Sequence, residues 1–253
     1  MSLLISLRSE LLKTKRTAAF YFTLAGAAIV PVTYLFNVAI DGISETKNDP
    51  FNAVFKLGGE MNALVFFPWF VILICTLMPQ IEYKNNTWKQ VFASPQPKAT
   101  VFLSKFLGIH VLLVVFLVVH HLLMFMAVVA THFIMPELDI LNQPLDVHKI
   151  VVNNVNIYIT VLAIAAIQFW LGLRFKNFIV PIGIGLALWF AGTFMVFELQ
   201  SVYSKYFPYS FQIYSMMPKL RSQINQVEWT SLGYSITFLV LGFIDFSRRR
   251  IAA

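Results

Sequence analysis

Four of the chain's five histidines, His110, His120, His121 and His132, fall in or beside one apolar stretch, and clustered histidines are the first sign of a metal or haem site. Their spacing argues otherwise. His110 and His121 are 11 residues apart, so on a helix they share a face but stand about 16 Å apart along the axis, too far to share an ion. His120 and His121 diverge by about 100°. No histidine at matching depth on another apolar stretch completes a haem, so these side chains read as hydrogen-bonded core or pore-facing groups. Gly233-Tyr234-Ser235-Ile236 superficially matches a membrane serine protease, but a nucleophile needs a base within about 3 Å, and no histidine follows His148. Neither G-x-x-x-x-G-K-[ST] nor H-E-x-x-H occurs. The single cysteine, Cys75, permits no intrachain disulfide and reads as a small core residue. No catalytic, cofactor-binding or metal-ligating set is expected.

The more promising stretch is Glu82 to Lys105, where charges, aromatics and prolines interleave. Thr87 to Ala93 suits a short helix ended before Pro95, because the residue preceding proline avoids helical torsions. Trp88 and Phe92 then share a face at i, i+4, with Lys84 and Lys89 at its rim. Such an aromatic face is a docking element or an interface anchor.

The elements around it are set by composition. Of 253 residues, 58% are apolar and 12% charged, against about 25% charged in soluble chains. Six blocks lack Asp, Glu, Lys and Arg: Ala18 to Ile40, Met61 to Ile81, Phe106 to Pro136, Ile150 to Leu173, Asn177 to Phe197 and Trp229 to Ile244. A helix needs roughly 20 such residues to cross the hydrocarbon core. The last block spans if Asp245 and Ser247 sit among headgroups beside Arg248, Arg249 and Arg250, extending it to residue 247. The expected fold is therefore all-α, one transmembrane domain over residues 1–253 with spans near 18–40, 61–81, 106–136, 150–173, 177–197 and 229–247. Barrel strands would alternate apolar and polar residues, and these blocks do not. A signal peptide does not fit, since the segment before the first block is long and mixed.

With the N-terminus cytoplasmic, the inside segments hold 13 of the 19 basic residues and 3 of the 12 acidic ones. Positive residues in short loops stay inside, so both termini are expected there. The net charge of +7 is thus a topology signal, and no soluble basic face exists for nucleic acid. Leu4, Leu7 and Leu11 recur at helical spacing with Arg8, Lys13 and Lys15 toward the headgroups, which suits an interfacial amphipathic helix or a simple positive anchor.

Further expectations concern the outer side and the spans. Asn48, Asp49 and Pro50 mark a turn in an outer loop from Asp41 to Glu60. Span three, at about 45 Å if one helix, must tilt or project. Arg174-Phe175-Lys176 makes spans four and five antiparallel neighbours. Asn153, Asn154, Asn156 and Gln168 should bond to neighbouring helices, and Pro31, Pro68 and Pro181 should kink theirs. The segment from Glu198 to Glu228, crowded with Tyr203, Tyr206, Phe207, Tyr209, Phe211 and Tyr214, should form short interfacial or re-entrant helices. Gly183, Gly185 and Gly192 offer close-approach sites for a dimer seam.

Glu82, the turn Asn85-Asn86-Thr87, Trp88, Pro95 and Lys105, together with the leucine- and lysine-rich N-terminal segment and six spans, resemble a membrane subunit of the ABC transporter type-2 permease family, in the branch of the lantibiotic-immunity permeases. Asparagines stand where a glycine is common in that turn. The resemblance implies a half-transporter without its own ATPase site or cofactor, pairing with a second permease copy or paralogue and with a cytoplasmic ABC ATPase that carries the ATP. Glu82, Lys84, Thr87, Trp88, Lys89 and Phe92 would form the ATPase-coupling helix, and Leu4, Leu7, Arg8 and Leu11 the interfacial N-terminal helix. The expected setting is a bacterial-type cytoplasmic (inner) membrane, and the expected cargo an amphipathic or hydrophobic peptide, lipid or drug. The alternative is an ATPase-independent channel, scaffold or accessory subunit of an envelope complex.

Overall fold

The computed structural model describes residues 3–41, 49–138 and 140–248. Asn48, Arg249 and Arg250, used above to place a turn and the last span, lie outside the described residues. Among those described there is no strand, and six helices are long and apolar enough to cross a membrane: Ala18–Ile40, Pro50–Lys84, Lys98–Ile134, Val147–Arg174, Ile179–Phe197 and Arg221–Arg248. The protein is a multi-pass membrane protein.

In chain order the helices are α1 (Leu3–Thr14), α2 (Ala18–Asp41), α3 (Pro50–Met61), α4 (Phe67–Lys84), α5 (Trp88–Ala93), α6 (Lys98–Ile134), α7 (Val147–Arg174), α8 (Ile179–Phe197), α9 (Phe211–Met216) and α10 (Ile224–Arg248). α7 is the central post, packed between α4 and α10, while α2 pairs with α6 and α1 lies against α6. α8 stands at the rim, touching α4 and residues 208–210.

Three spans start well before the places the sequence reading gives them, the second at Pro50, the third at Lys98 and the sixth at Arg221. The expected outer loop contains α3, started by Pro50 and by Asp49, whose carboxylate accepts from the Asn52 amide at 3.4 Å. A π-helical turn, Asn62–Phe66, joins α3 to α4. α6 begins at Lys98, well before the apolar block, because Lys98 and Lys105 find partners at that end of the bundle. α5 forms close to its expected place, at Trp88–Ala93.

The in-span prolines explain several inter-helix contacts. A proline removes the N–H that would serve the carbonyl four residues earlier, and in hydrocarbon that carbonyl needs another donor. Pro31 frees the Ala27 carbonyl, which lies 3.3 Å from His120 Nδ1; a carbonyl only accepts, so that nitrogen carries the proton. Pro68 frees the Leu64 carbonyl, which accepts from Trp189 Nε1 at 3.1 Å. Ser231 of α10 plays a related part on α7, donating to Ile159 O at 2.7 Å while accepting from Ala163 N at 3.2 Å.

Gln168 of α7 enters the backbone of α8. With its amide oriented to satisfy both ends, it donates to Pro181 O at 3.2 Å and accepts from Gly185 N at 3.3 Å and from Tyr209 Oη at 2.9 Å. Only a glycine admits this approach at position 185, and Gly192 likewise lies against the Tyr209 and Ser210 backbone. These two glycines therefore serve contacts within the chain, and of the three expected at a seam Gly183 is the one that faces open space. The aromatic segment divides in two: Tyr209, Phe211 and Tyr214 are buried against the bundle, while Tyr203 and Tyr206 are exposed.

Candidate functional site

The turn between α4 and α5 follows from Asn86. Its φ is 54°, in the left-handed region that asparagine tolerates best after glycine. Thr87 N then donates to Glu82 O at 3.0 Å and Asn86 N to Tyr83 O at 3.3 Å, the paired bonds that close a Schellman helix end. Asparagine thus fills the glycine role in this turn. Thr87 precedes α5 without a side-chain capping bond, and Pro95 and Pro97 separate α5 from α6.

Beneath this turn lies a closed set of four charges. Lys105 Nζ is 2.5 Å from Glu82 Oε1 and 2.7 Å from Glu10 Oε2. Lys13 Nζ is 2.7 Å from Glu10 Oε1 and 3.2 Å from Glu82 Oε1. Lys105, Glu82 and Glu10 are 0%, 1% and 6% exposed, so the ions stand out of water and depend on one another. Two acids and two bases sum to zero, which is the condition for burying them at all. The residues come from α1, α4 and α6, and the set locks those three helices together at one end of the bundle.

α5 is fastened to the same place. Trp88 stacks on Phe92 at 5.5 Å, meets Tyr83 at 5.4 Å and Phe246 of α10 at 5.9 Å, and carries Lys105 Nζ 5.5 Å over its ring. Phe92 reaches Phe246 at 5.2 Å. Both rings therefore point into the chain, because hydrophobic partners wait on α10, and the outward face of α5 is polar, with Lys89 and Gln90 exposed beside Lys84 at the end of α4. Neighbouring ends are tied in too: Tyr83 Oη donates to Leu173 O at 2.5 Å, Gln80 Nε2 to Phe175 O at 2.9 Å, and Arg174 pairs with Asp245 at 3.2 Å.

α1 turns a polar face to the bundle. Ser6, Glu10 and Thr14 are its buried residues, and Ser6 Oγ donates to Gln96 Oε1 at 3.1 Å. Leu4 and Arg8 are exposed, Leu11 is half-buried, and the half-buried Leu7 packs beside Glu10 against Gly108 of α6. Glu82 and Lys105 stand out singly in the sequence, but the network does not; its signal is the lone acid Glu10 three residues before Lys13 in an otherwise basic segment. Three of the histidines are satisfied singly: His110 Nδ1 lies 2.6 Å from Tyr158 Oη, His120 Nδ1 lies 3.3 Å from Ala27 O, and His121 bonds Leu117 O and Asn154, while His132 Nδ1 is buried without a partner. Among the described residues no three potential ligands gather around one metal position.

A family model described as "ABC-2 family transporter protein" matches residues 6–192. The chain belongs to the ABC-2 transporter family. No curated protein matches it. Membrane subunits of this family are transporter components. The matched stretch runs from α1 into α8 and so holds all four charges and α5.

The charge set gives this ABC-2 subunit a defined pH window. Burial alone would raise the Glu10 carboxyl, but Lys105 and Lys13 outweigh it and hold the group below its ordinary 4.5. Burial would lower Lys13, yet Glu10 and Glu82 keep it above its ordinary 10.5. Glu10's contribution is thus present above pH 4.5 and lost as pH falls through its lowered value. Lys13's is present below pH 10.5 and lost as pH rises through its raised value. Spin labels at exposed Leu12 and Leu103 should report a constant α1–α6 distance between those limits and a broadened one beyond them. A broadening near pH 7 would contradict this window.

Proposed function

We propose that this chain is the permease half of an ATP-driven exporter of amphipathic or hydrophobic molecules, of the lantibiotic-immunity type, working as a pair of permeases with a separate cytoplasmic ATPase. The observation that carries the reading is α5, a short helix whose apolar face is anchored to its own bundle while its Lys89 and Gln90, and Lys84 at the end of α4, are exposed. A helix so fastened transmits a push directly into α4 and α6, and the four buried charges extend that push to α1. Trp88 and Phe92 are the inner half of the joint, and Lys84 and Lys89 the half that meets acidic groups of the ATPase. α1 lies in the cytoplasmic interface beside this contact, both termini are cytoplasmic, and the membrane is a bacterial-type cytoplasmic one.

Glu82 Oε2 and Trp88 Nε1 are both buried without a partner. Such groups raise the energy of the arrangement that holds them, which lowers the cost of a rearrangement of this joint when the ATPase moves.

Purification of tagged protein from its native membrane in mild detergent tests the reading. An ABC ATPase should co-purify, and Lys84→Glu with Lys89→Glu should lower its recovery about tenfold, as reversal of rim charges does at electrostatically guided contacts. Recovery of the intact protein without an ATPase in several detergents would favour the channel or scaffold instead.

A further inference from the structure

At the end of the bundle opposite α1, the helices α3, α6 and α7, the end of α9 and the chain after it line a cavity of about 470 Å³, within the range of small-molecule sites. Six of its lining residues are charged, three of each sign: Asp49, Glu60 and Asp146 against Lys56, Lys149 and Arg221. They are not equally free. Asp49 holds the Asn52 side-chain nitrogen at 3.0 Å and caps α3. Asp146 caps α7 through Lys149 N at 2.9 Å, and Glu60 faces Lys56 at 3.9 Å. Among the described residues neither Lys149 nor Arg221 has an ion-pair partner; Arg221 only donates to Asn153 Oδ1 at 2.8 Å. The acids are committed to the fold, and two cations are left over at an exposed mouth.

Deeper in, the chemistry changes. Asn62 opens the π-helical turn, is 2% exposed, and its Oδ1 has no partner. Asn154 spends its amide hydrogens on His121 Nε2 at 3.0 Å and Ile150 O at 2.8 Å, which leaves its Oδ1 as an acceptor. His121 Nδ1 sits 2.8 Å from Leu117 O and so bears the proton, making Nε2 the acceptor of that contact. Phe55, Ile157 and Met216 line the same space. π-helical turns recur at functional sites, and a buried amide oxygen with nothing to accept from asks for a donor from outside the chain.

We propose that this cavity binds an anionic amphiphile, with a phosphate at the mouth between Lys149 and Arg221, a hydroxyl donating to Asn62 Oδ1, and an apolar portion against Phe55, Ile157 and Met216. Cations at the mouth and acceptors below match the order of phosphate, glycerol hydroxyl and chain in a lysophospholipid. The assignment needs only that the mouth opens at the membrane surface, and it stands apart from the ATPase reading.

Lysophosphatidylglycerol is the probe, applied in labelled form to the full chain purified in dodecyl maltoside. Saturable binding is expected, with lysophosphatidylcholine and glycerol phosphate each competing at least about tenfold more weakly, since one lacks the net charge and the other the chain. Lys149→Ala with Arg221→Ala should weaken binding at least about tenfold, and Asn62→Leu should weaken it several-fold. The first two positions are exposed, so these variants should remain monodisperse by size exclusion. Equal competition by lysophosphatidylcholine, or unchanged binding by the double variant, would overturn the proposal. Glycerol phosphate competing as well as the lipid would make this a site for free phosphate compounds and overturn the amphiphile.

Discussion

Lys105→Met is expected to destabilise the folded chain in detergent by about 3–5 kcal/mol, the usual cost of removing one partner from a buried ion pair. Lys105 is fully buried and bonds both Glu82 and Glu10. Without it, Lys13 alone must balance two buried carboxylates, and Lys13 is the most exposed member of the set. The loss should follow the charge count rather than the removed volume, since methionine fills much of the lysine's space. Adding Glu82→Gln restores neutrality, with Glu10 and Lys13 still paired at 2.7 Å, so the double variant should regain most of the lost stability. Thermal unfolding of the single variants, the double variant and Lys105→Arg measures this directly. Additive losses in the double variant would mean that the two residues do not act as one unit.

How far this joint was legible in the sequence depends on which residues carry it. The six spans stand out because hydrocarbon excludes unpaired charge, so uninterrupted apolar blocks have one stable use. The same logic hides the ends of the helices. Lys56 and Glu60 made α3 look like a loop, and Lys98 and Lys105 did so for the start of α6, yet helices extend through charges that find partners. A reading of one residue at a time cannot see that Lys105 will meet Glu10, 95 positions away. The contacts at the prolines are hidden for the same reason. A freed carbonyl is foreseeable at Ala27 or Leu64, but His120 and Trp189 as its partners are properties of the packed bundle. The tyrosines show the converse error. Amphipathic rings suit a headgroup layer, and Tyr203 and Tyr206 are exposed as expected, but Tyr209 goes inward because its hydroxyl bonds Gln168.

The same inward turn decides what Trp88→Ala should do. The sequence alone suggests that Trp88 and Phe92 grip a partner, so their loss would release it. With both rings packed on Phe246, and Trp88 also against Tyr83 and Lys105, truncation instead loosens α5 from its own bundle and leaves Lys84 and Lys89 in place. Trp88 is half-buried, so the cost should fall below the roughly 3–5 kcal/mol of a fully buried aromatic, and the protein should still insert. In the proposed complex the ATPase should remain bound and turn over ATP, while its strokes no longer reach the far ends of α6 and α10. Labels at exposed Phe133 and Trp229 can follow this without a known substrate. An ATP-driven distance change in the parent protein should shrink at least about tenfold in population in Trp88→Ala, equivalent to about 1.4 kcal/mol of lost coupling, and Trp88→Phe should restore part of it. If the distance change survives intact in Trp88→Ala, the stroke enters the bundle by another route, and α1 with its buried Glu10 becomes the element to test.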